Sequence, residues 1–196
     1  MKKIMFDDKY LLTQTVLAGS KTMTRRVLKV PKTCNGKKVY TFNILTNNAG
    51  TQCVDLVDEN GGVLDSWKPH YEVGEVVAIA QSYKELYPNA DFEMVGNGFM
   101  TESAGWNNKM FVRANLMKRH IRITDVKVER LRNISDEDIL KEGIFKLTDK
   151  YFLPNGVDKA FTSARNAFAY LIDKVSGKGT WESNPWVVAY SFELVD

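Results

Sequence analysis

Alternating and continuous apolar stretches predict a series of short strands along the chain. Tyr40, Phe42 and Ile44 lie on one side of an alternating stretch, which is typical of a half-buried strand. The run from Val76 to Ala80 is apolar throughout, as expected for a strand that is buried on both faces. The predicted strands cover residues 38–45, 52–57, 63–67, 76–80, 110–114, 121–131 and 186–194.

The strand predicted over residues 121–131 contains a change of phase. Ile121 and Ile123 occupy odd-numbered positions of the alternating pattern, whereas Val126 and Val128 occupy even-numbered ones. A β-bulge produces such a shift because it adds one residue to a strand and moves the following side chains to the opposite face. We therefore predict a bulge between Ile123 and Val126.

Three stretches predict helices. A short helix over residues 8–18 ends at Gly19, which is a natural C-terminal stop. Ser135 is a good N-cap for a two-turn helix that Gly143 closes. Residues 158–175 place apolar side chains at steps of three and four, which predicts a longer amphipathic helix.

Helices among many short strands predict an α+β domain that is built on a small, strongly bent sheet or barrel. The strands at 76–80, 121–131 and 186–194 are expected to belong to one sheet, in a closed or nearly closed barrel. A length of 196 residues suits one ordinary domain. No internal repeat or Pro/Gly-rich linker divides the chain.

Charge is distributed unevenly around a modest net value of +3. Residues 1–50 carry 10 Lys and Arg against 2 Asp and Glu, whereas residues 51–100 carry 2 against 9. The basic quarter can form one electropositive face for a polyanion. Alternatively, the acidic quarter folds against it and cancels the field.

Several classes of site and compartment are disfavoured. No apolar run approaches the roughly 18 residues that cross a bilayer, and the start of the chain lacks the apolar region of a signal peptide. Two cysteines do not form a disulfide framework. We therefore expect a cytoplasmic protein with no membrane partner.

No cofactor or metal is predicted. Cys34, Cys53, His70 and His120 are scattered, without the spacing of a metal site. The glycine-rich loops that bind nucleotide phosphates are absent. The segment 177–180, Gly-Lys-Gly-Thr, resembles half of such a loop, but it follows a predicted helix, and a helix C-terminal glycine is the simpler interpretation.

The most unusual segment runs from Lys21 to Arg26, Lys-Thr-Met-Thr-Arg-Arg. It favours an anion or nucleotide-edge site, in which arginine supplies planar paired donors and threonine a hydroxyl. On a helical turn the side chains of Lys21 and Thr24 can meet, and a desolvated lysine can act as a base toward the hydroxyl. The alternative is a solvated cationic cap after the first helix.

Four stretches of the chain, in the same order, resemble motifs of ASCH-domain proteins, especially the longer phage and prophage members. Residues 17–26 resemble "L-x-G-x-K-T-x-T-R-R", and residues 71–75 resemble a "vGD" turn. Residues 123–144 resemble "I-T-x-V-R-V-E-R-L…I-S…E-G-I", and residues 184–193 resemble "N-P-W-V-W-V-x-x-F-E".

The resemblance implies a PUA-like fold, which is a small β-barrel with flanking helices and a cleft beside the first helix. It implies RNA, or a nucleobase or nucleoside, as the ligand class. The chain is longer than the small members of the family. We interpret it as a single ASCH-like domain over residues 1–196, with a β-hairpin insertion at 33–67 and a loop-rich insertion at 86–108.

The resemblance also implies site residues. In small bacterial ASCH proteins that hydrolyse acetylated cytidine, a Lys, a Thr and a Glu act together, and these positions match Lys21, Thr24 and Glu142. In this scheme Thr24 is the nucleophile, Lys21 takes its proton, and Glu142 holds the lysine and passes a proton to the leaving amine.

Three hypotheses on function follow. The first is a phage-type module that binds RNA or a modified nucleoside through Lys21, Thr22, Thr24, Arg25 and Arg26, with Trp181 stacking on a base. The second is an amide hydrolase for acylated cytidine-type nucleosides. The third, weaker hypothesis is a phage protein that binds a host protein through its second insertion.

The two arginines carry a further expectation. Lys21, Arg25 and Arg26 are expected to share one face of the cleft, where they meet a phosphate-bearing ligand. Alternatively, one of the arginines pairs with Glu142 or another acid and braces the first helix.

Overall fold

The computed structural model describes residues 1–46, 52–90 and 94–196, except the side chains of residues 157 and 158. Its α-helices are α1 (Leu12–Leu17), α2 (Tyr83–Leu86), α3 (Asp136–Lys141), α4 (Ala164–Ser176) and α5 (Thr180–Ser183). Its strands are β1 (Lys3–Ile4), β2 (Met23–Val27), β3 (Thr33–Cys34), β4 (Lys37–Lys38), β5 (Thr41–Thr46), β6 (Gln52–Val57), β7 (Val63–Trp67), β8 (Val76–Ile79), β9 (Met94–Val95), β10 (Gly98–Phe99), β11 (His120–Arg130), β12 (Phe145–Leu147), β13 (Lys150–Leu153), β14 (Gly156–Phe161) and β15 (Trp186–Leu194).

The main sheet has five strands in the order β1-β8-β11-β15-β2. β1 runs parallel to β8, and the other neighbours are antiparallel. The expectation that β8, β11 and β15 share one sheet is confirmed. The main core joins the apolar side chains of this sheet to those of α1, α3 and α4, so that the fold is α+β.

The expected closed barrel is not found among the described residues. β1 and β2 are the two edges of the sheet, and no backbone ladder joins them in the described part of the chain. β1 is only 2 residues long, which leaves little backbone for pairing. Instead, the guanidinium of Arg26 spans the gap and donates a hydrogen bond to the carbonyl oxygen of Met5.

The predicted bulge in β11 is confirmed. The register of β11 against β15 shifts between Ile123 and Asp125. Ile121 and Ile123 before the shift, and Val126 and Val128 after it, are all buried. The extra residue therefore keeps both apolar pairs of the strand in the core.

The first predicted helix is divided at Leu11. A 3₁₀ turn covers Asp8–Tyr10, Leu11 takes a left-handed backbone conformation with φ 52°, and α1 follows. The second prediction is confirmed, because the Ser135 hydroxyl accepts a hydrogen bond from the Asp138 amide at the start of α3. Gly143, just beyond the end of this helix, has φ 101°.

The helix predicted over residues 158–175 is wrong at its start. Residues up to Phe161 belong to β14, which pairs with β13. The helix begins only at Ala164, where Ser163 is the N-cap and accepts a hydrogen bond from the Asn166 amide. A strand and a cap therefore replace the first turns of the expected helix.

The two stretches interpreted as insertions contain small sheets. In 33–67, β3 pairs with β4, and β5, β6 and β7 form a three-stranded antiparallel sheet; residues 47–51 lie outside the described residues. In 86–108, β9 pairs with β10, and residues 91–93 lie outside the described residues. The strand predicted at 110–114 is wrong, because 3₁₀ turns occupy Lys109–Phe111 and Ala114–Leu116.

Helices in the described ranges are too short or too polar to cross a bilayer.

Candidate functional site

A cleft of about 500 Å³ opens beside the edge strand β2. Its walls come from the N-terminal segment, from β2 and the residues after it, and from the end of α4 together with α5. The side chains or backbone of the following residues line it: Met5, Phe6, Asp7, Leu12, Thr24, Arg25, Arg26, Val27, Lys29, Val175, Ser176, Thr180, Ser183 and Pro185. We call this space the β2 cleft.

The walls of the β2 cleft combine an apolar surface with cations. Phe6 lines the cleft but is only 5% exposed, and the Arg26 guanidinium carbon lies 5.9 Å from the centre of its ring; the exposed apolar surface comes from Met5 and Val175. Lys29 adds a second exposed cation. The only carboxylate among the described lining residues is that of Asp7, which accepts a hydrogen bond from the Lys9 amide. Such a surface suits a ligand with a flat apolar part and negative charge.

A buried ion pair lies behind the β2 cleft. The Nζ of Lys21 is 2.7 Å from the Oε2 of Glu142 and 2.7 Å from its backbone oxygen. The two residues are 2% and 4% exposed. The end of α3 thus brings the sequence-matched Glu142 to the sequence-matched Lys21, which precedes β2.

Arg25 is buried and holds three acids together. Its Nη2 and Nε donate hydrogen bonds to Oε1 of Glu129 at 2.8 and 3.0 Å. Its Nη2 also donates to Asp138 at 3.0 Å, and its Nη1 donates to Glu142 at 3.2 Å. Lys127 binds the other oxygen of Glu129 at 2.7 Å. Every acid in this cluster therefore has a cationic partner, which buried charges require.

The surroundings shift the pKa of both buried cations. Burial lowers the pKa of the Lys21 ammonium, and Arg26 and Arg25 act in the same direction, whereas the carboxylate of Glu142 opposes the change. Burial also disfavours the charged form of Arg25, but the acids Glu142, Glu129 and Asp138 outweigh it and raise the pKa of Arg25.

The expectation that Lys21, Arg25 and Arg26 share one face of the cleft is wrong. Residues 23–27 form a strand, and consecutive side chains of a strand point to opposite faces. Arg25 therefore turns with Met23 toward the acids, and Arg26 stays exposed at the β2 cleft. The alternative, in which one arginine pairs with Glu142, is the arrangement that the structure has.

The expected helical turn that joins Lys21 to Thr24 is absent, because Thr24 lies in β2 opposite Tyr190. Thr24 is buried and lines the β2 cleft, but no hydrogen bond joins its hydroxyl to the described side chains of Lys21 and Glu142. Thr22 is half-buried and is held by two backbone hydrogen bonds. Its amide donates to the Lys141 oxygen, and its oxygen accepts from the Phe192 amide.

Trp181 is not brought to this cleft. Its ring packs edge-on against Phe168 at 6.1 Å between ring centres. The guanidinium carbons of Arg132 and Arg165 lie 6.0 and 5.8 Å from the Trp181 ring. It lines a separate depression on the outside of α4 with residues such as Asp173.

Sequence analysis missed four residues of the site: Phe6, Lys29, Glu129 and Asp138. Phe6 and Lys29 carry no pattern that distinguishes them from ordinary core and surface residues. Glu129 and Asp138 lie 104 and 113 positions from Arg25. The one available signal was that each acid lies in an element with apolar positions, Glu129 in a predicted strand and Asp138 in a predicted helix.

Comparisons with known proteins give little further information. No family model matches the chain, and the search of curated proteins finds no match. Among solved structures, the chain is similar to protein EF3133 from Enterococcus faecalis V583, a DUF984 protein, at 14% identity. That match covers 100% of this chain and 81% of the other, with a TM-score of 0.43.

Proposed function

We propose that the β2 cleft binds RNA or a modified nucleoside, and that the protein is a binding module. The observation that carries the proposal is the placement of two exposed cations, Arg26 and Lys29, around one cleft whose walls also include the exposed apolar side chains of Met5 and Val175. A nucleobase presents a flat face and polar edges, and its sugar or phosphate adds hydrogen-bond acceptors. Thr24 supplies a hydroxyl at the same wall.

The resemblance to ASCH-domain proteins supports this proposal. Lys21, Thr24 and Glu142 match the family's site positions, and Thr24 lines the β2 cleft while the other two pair directly behind it. We propose on this basis an ASCH-type, PUA-like protein of the phage and prophage class that works in the cytoplasm.

Binding is tested by titrating the protein with nucleosides and short single-stranded RNAs, followed by calorimetry at two salt concentrations. Arg26→Ala weakens binding about tenfold, since a charge-assisted contact contributes about 1.5–3 kcal/mol. Arg122→Ala is the matched control, because Arg122 is an exposed arginine that forms only a loose 3.8 Å ion pair with Glu193. Equal affinities of wild type and Arg26→Ala would contradict the proposal.

A second candidate function, amide hydrolysis of an acylated nucleoside, is favoured by the buried contact of Lys21 with Glu142. In this proposal the Thr24 oxygen bonds to the amide carbonyl carbon, and the C–N bond breaks. Lys21, which bonds only to Glu142 in the described structure, moves into hydrogen-bond reach of Thr24, and the hydroxyl proton passes through Lys21 and Glu142 to the leaving amine. Water then hydrolyses the threonine ester and releases the acid. The lowered pKa of Lys21 suits a base, but Glu142 favours the ammonium.

Turnover is tested by incubating the protein with acetylated cytidine and measuring deacylated product. Thr24→Val keeps the shape of the side chain and removes the hydroxyl, so it abolishes turnover and leaves the fold intact if Thr24 is the nucleophile. Thr22→Val is the control, since Thr22 does not line the cleft. No product with the wild-type protein, together with retained binding, leaves the binding module as the function.

A further inference from the structure

A second cleft, of about 290 Å³, lies on another side of α4 and shares no lining residue with the β2 cleft. It is formed by the N-terminal 3₁₀ turn, the β13–β14 hairpin and the middle of α4. We call it the Tyr170 cleft. It is lined by Lys9, Tyr10, Leu153, Asn155, Gly156, Lys159, Tyr170 and Lys174.

The Tyr170 cleft gathers cations from three separate elements. Lys9 comes from the 3₁₀ turn, Lys159 from β14 and Lys174 from α4. The Nζ of Lys159 lies 3.8 Å from the centre of the Tyr170 ring, and that of Lys174 lies 5.3 Å from the same point. Two ammonium groups thus share one aromatic ring.

No acid lies among the described lining residues of this cleft. In the described part of the chain, Lys9, Lys159 and Lys174 also form no ion pair within 4 Å, although a neighbouring depression that shares Tyr170 and Lys174 contains Asp173 and Glu182. Like charges that line one cleft repel one another. An anion in the cleft removes that repulsion and gains attraction to each ammonium.

We propose that the Tyr170 cleft binds a phosphate group. Ammonium groups act as compact point charges that suit the tetrahedral, multiply charged phosphate better than the planar pairing of a carboxylate. The cleft also offers neutral donors, because the Asn155 amide lies at its rim and donates only a long 3.4 Å bond to the Lys9 oxygen. The phosphate belongs either to a small phosphorylated ligand or to a nucleic-acid backbone, which present the same chemistry.

The test measures the affinity of inorganic pyrophosphate and of a short single-stranded RNA by calorimetry. The double variant Lys159→Gln, Lys174→Gln is compared with wild type. The control is Lys37→Gln, Lys38→Gln, which removes the same charge from a cleft that also contains the acids Asp58 and Glu59. All four lysines are exposed, so both variants fold.

We expect the Lys159, Lys174 variant to bind at least one probe about tenfold more weakly, which corresponds to about 1.4 kcal/mol of binding free energy. For RNA, the dependence of the logarithm of affinity on the logarithm of salt concentration flattens by about 1.4, because two phosphate contacts are lost. The control changes neither affinity by more than about twofold.

The pattern of losses identifies the source of the phosphate. A loss for pyrophosphate alone indicates a small phosphorylated ligand, whereas a loss for RNA indicates backbone phosphates. If neither probe binds more weakly to the double variant than to the control variant, the proposal is overturned. The test separates the two proposals. If RNA binding depends on Arg26 but not on Lys159, the proposed function of the β2 cleft stands and the phosphate site in the Tyr170 cleft is rejected.

Discussion

The Nζ of Lys21 binds both the carboxylate oxygen and the backbone oxygen of Glu142, each at 2.7 Å. The ammonium thereby fixes the residue that follows α3 to the segment that precedes β2. One lysine side chain therefore sets the position of Glu142, whose carboxylate also accepts a hydrogen bond from Arg25.

The first prediction concerns the charge of Glu142. Glu142→Gln leaves the Lys21 ammonium buried without a counter-charge, so the free energy of unfolding falls by about 3–5 kcal/mol. Urea unfolding of wild type and variant at neutral pH measures this difference in unfolding free energy. The control Glu137→Gln removes an exposed partner of Lys141 and changes the stability by less than about 1 kcal/mol. Equal losses of unfolding free energy in the two variants would show that the buried Lys21–Glu142 pair stabilises the fold no more than an exposed ion pair does.

The second prediction concerns pH. Backbone amides of Trp181 and Gly179 donate hydrogen bonds to the Asp173 carboxylate and lower its pKa below the ordinary value of an aspartate side chain. A carboxylate whose pKa is lower in the folded state contributes stability above its unfolded pKa, and the contribution is lost as the pH falls through the folded pKa. Asp173→Asn therefore destabilises the protein at pH 7, and the difference from wild type shrinks below about pH 4.

Unfolding of both proteins in urea across this pH range gives the comparison. Asp149→Asn is a suitable control because Asp149 is 80% exposed and only loosely paired with Lys150. A stability difference for Asp173→Asn that stays constant down to the lowest pH would reject the carboxylate as its cause.

The third prediction tests where α4 begins. Ser163→Ala removes the N-cap hydrogen bond to the Asn166 amide and costs about 1 kcal/mol of unfolding free energy. Ser163→Asp keeps an acceptor at the cap and adds a favourable charge at the helix start, so it retains the stability. Thermal and urea unfolding distinguish the two variants. Were the helix to start near residue 158, both substitutions would be nearly neutral.

The fourth prediction concerns Gly143, whose φ of 101° disfavours every residue with a Cβ atom. An added Cβ would lie at ordinary contact distances, 3.4 Å from Pro154 and 3.6 Å from Lys21, so the backbone conformation alone carries the cost. Gly143→Ala therefore lowers the unfolding free energy by about 1–2 kcal/mol. Gly98→Ala is the control, because its φ is ordinary and an added Cβ there meets no atom within 4 Å. A neutral Gly143→Ala would indicate a relaxed backbone at this position.

Local patterns predicted three of the five strands of the main sheet, β8, β11 and β15, because these strands carry their own signals, whereas β1 and β2 were not predicted as strands. β8 is apolar throughout, and the phase change in β11 located the bulge correctly. The start of the helix over 158–175 failed because Phe161 fits the helical spacing of Ala164 and Phe168, although it lies on β14. Only Ser163 marked the true boundary, and serine also occurs in many loops.

The site was predicted less well, because its geometry depends on pairing across the chain. Lys21 and Glu142 came from a family resemblance, and the structure brings them together across 121 positions. The alternation of β2 separates Arg25 from Arg26, although both were expected on one face of the cleft. No local spacing could have assigned Glu129 to Arg25, since tertiary packing alone joins them.

The gap between β1 and β2 has a consequence for association between chains. A free sheet edge is a template on which a strand of another molecule can add. Here the edge carries Arg26 as a gatekeeper, and its guanidinium is tied to the Met5 oxygen across the gap. An incoming strand must strip water from that cation and break its bond. We therefore expect Arg26 to disfavour the addition of a second chain at this edge, and the loss of this arginine to favour edge-to-edge association.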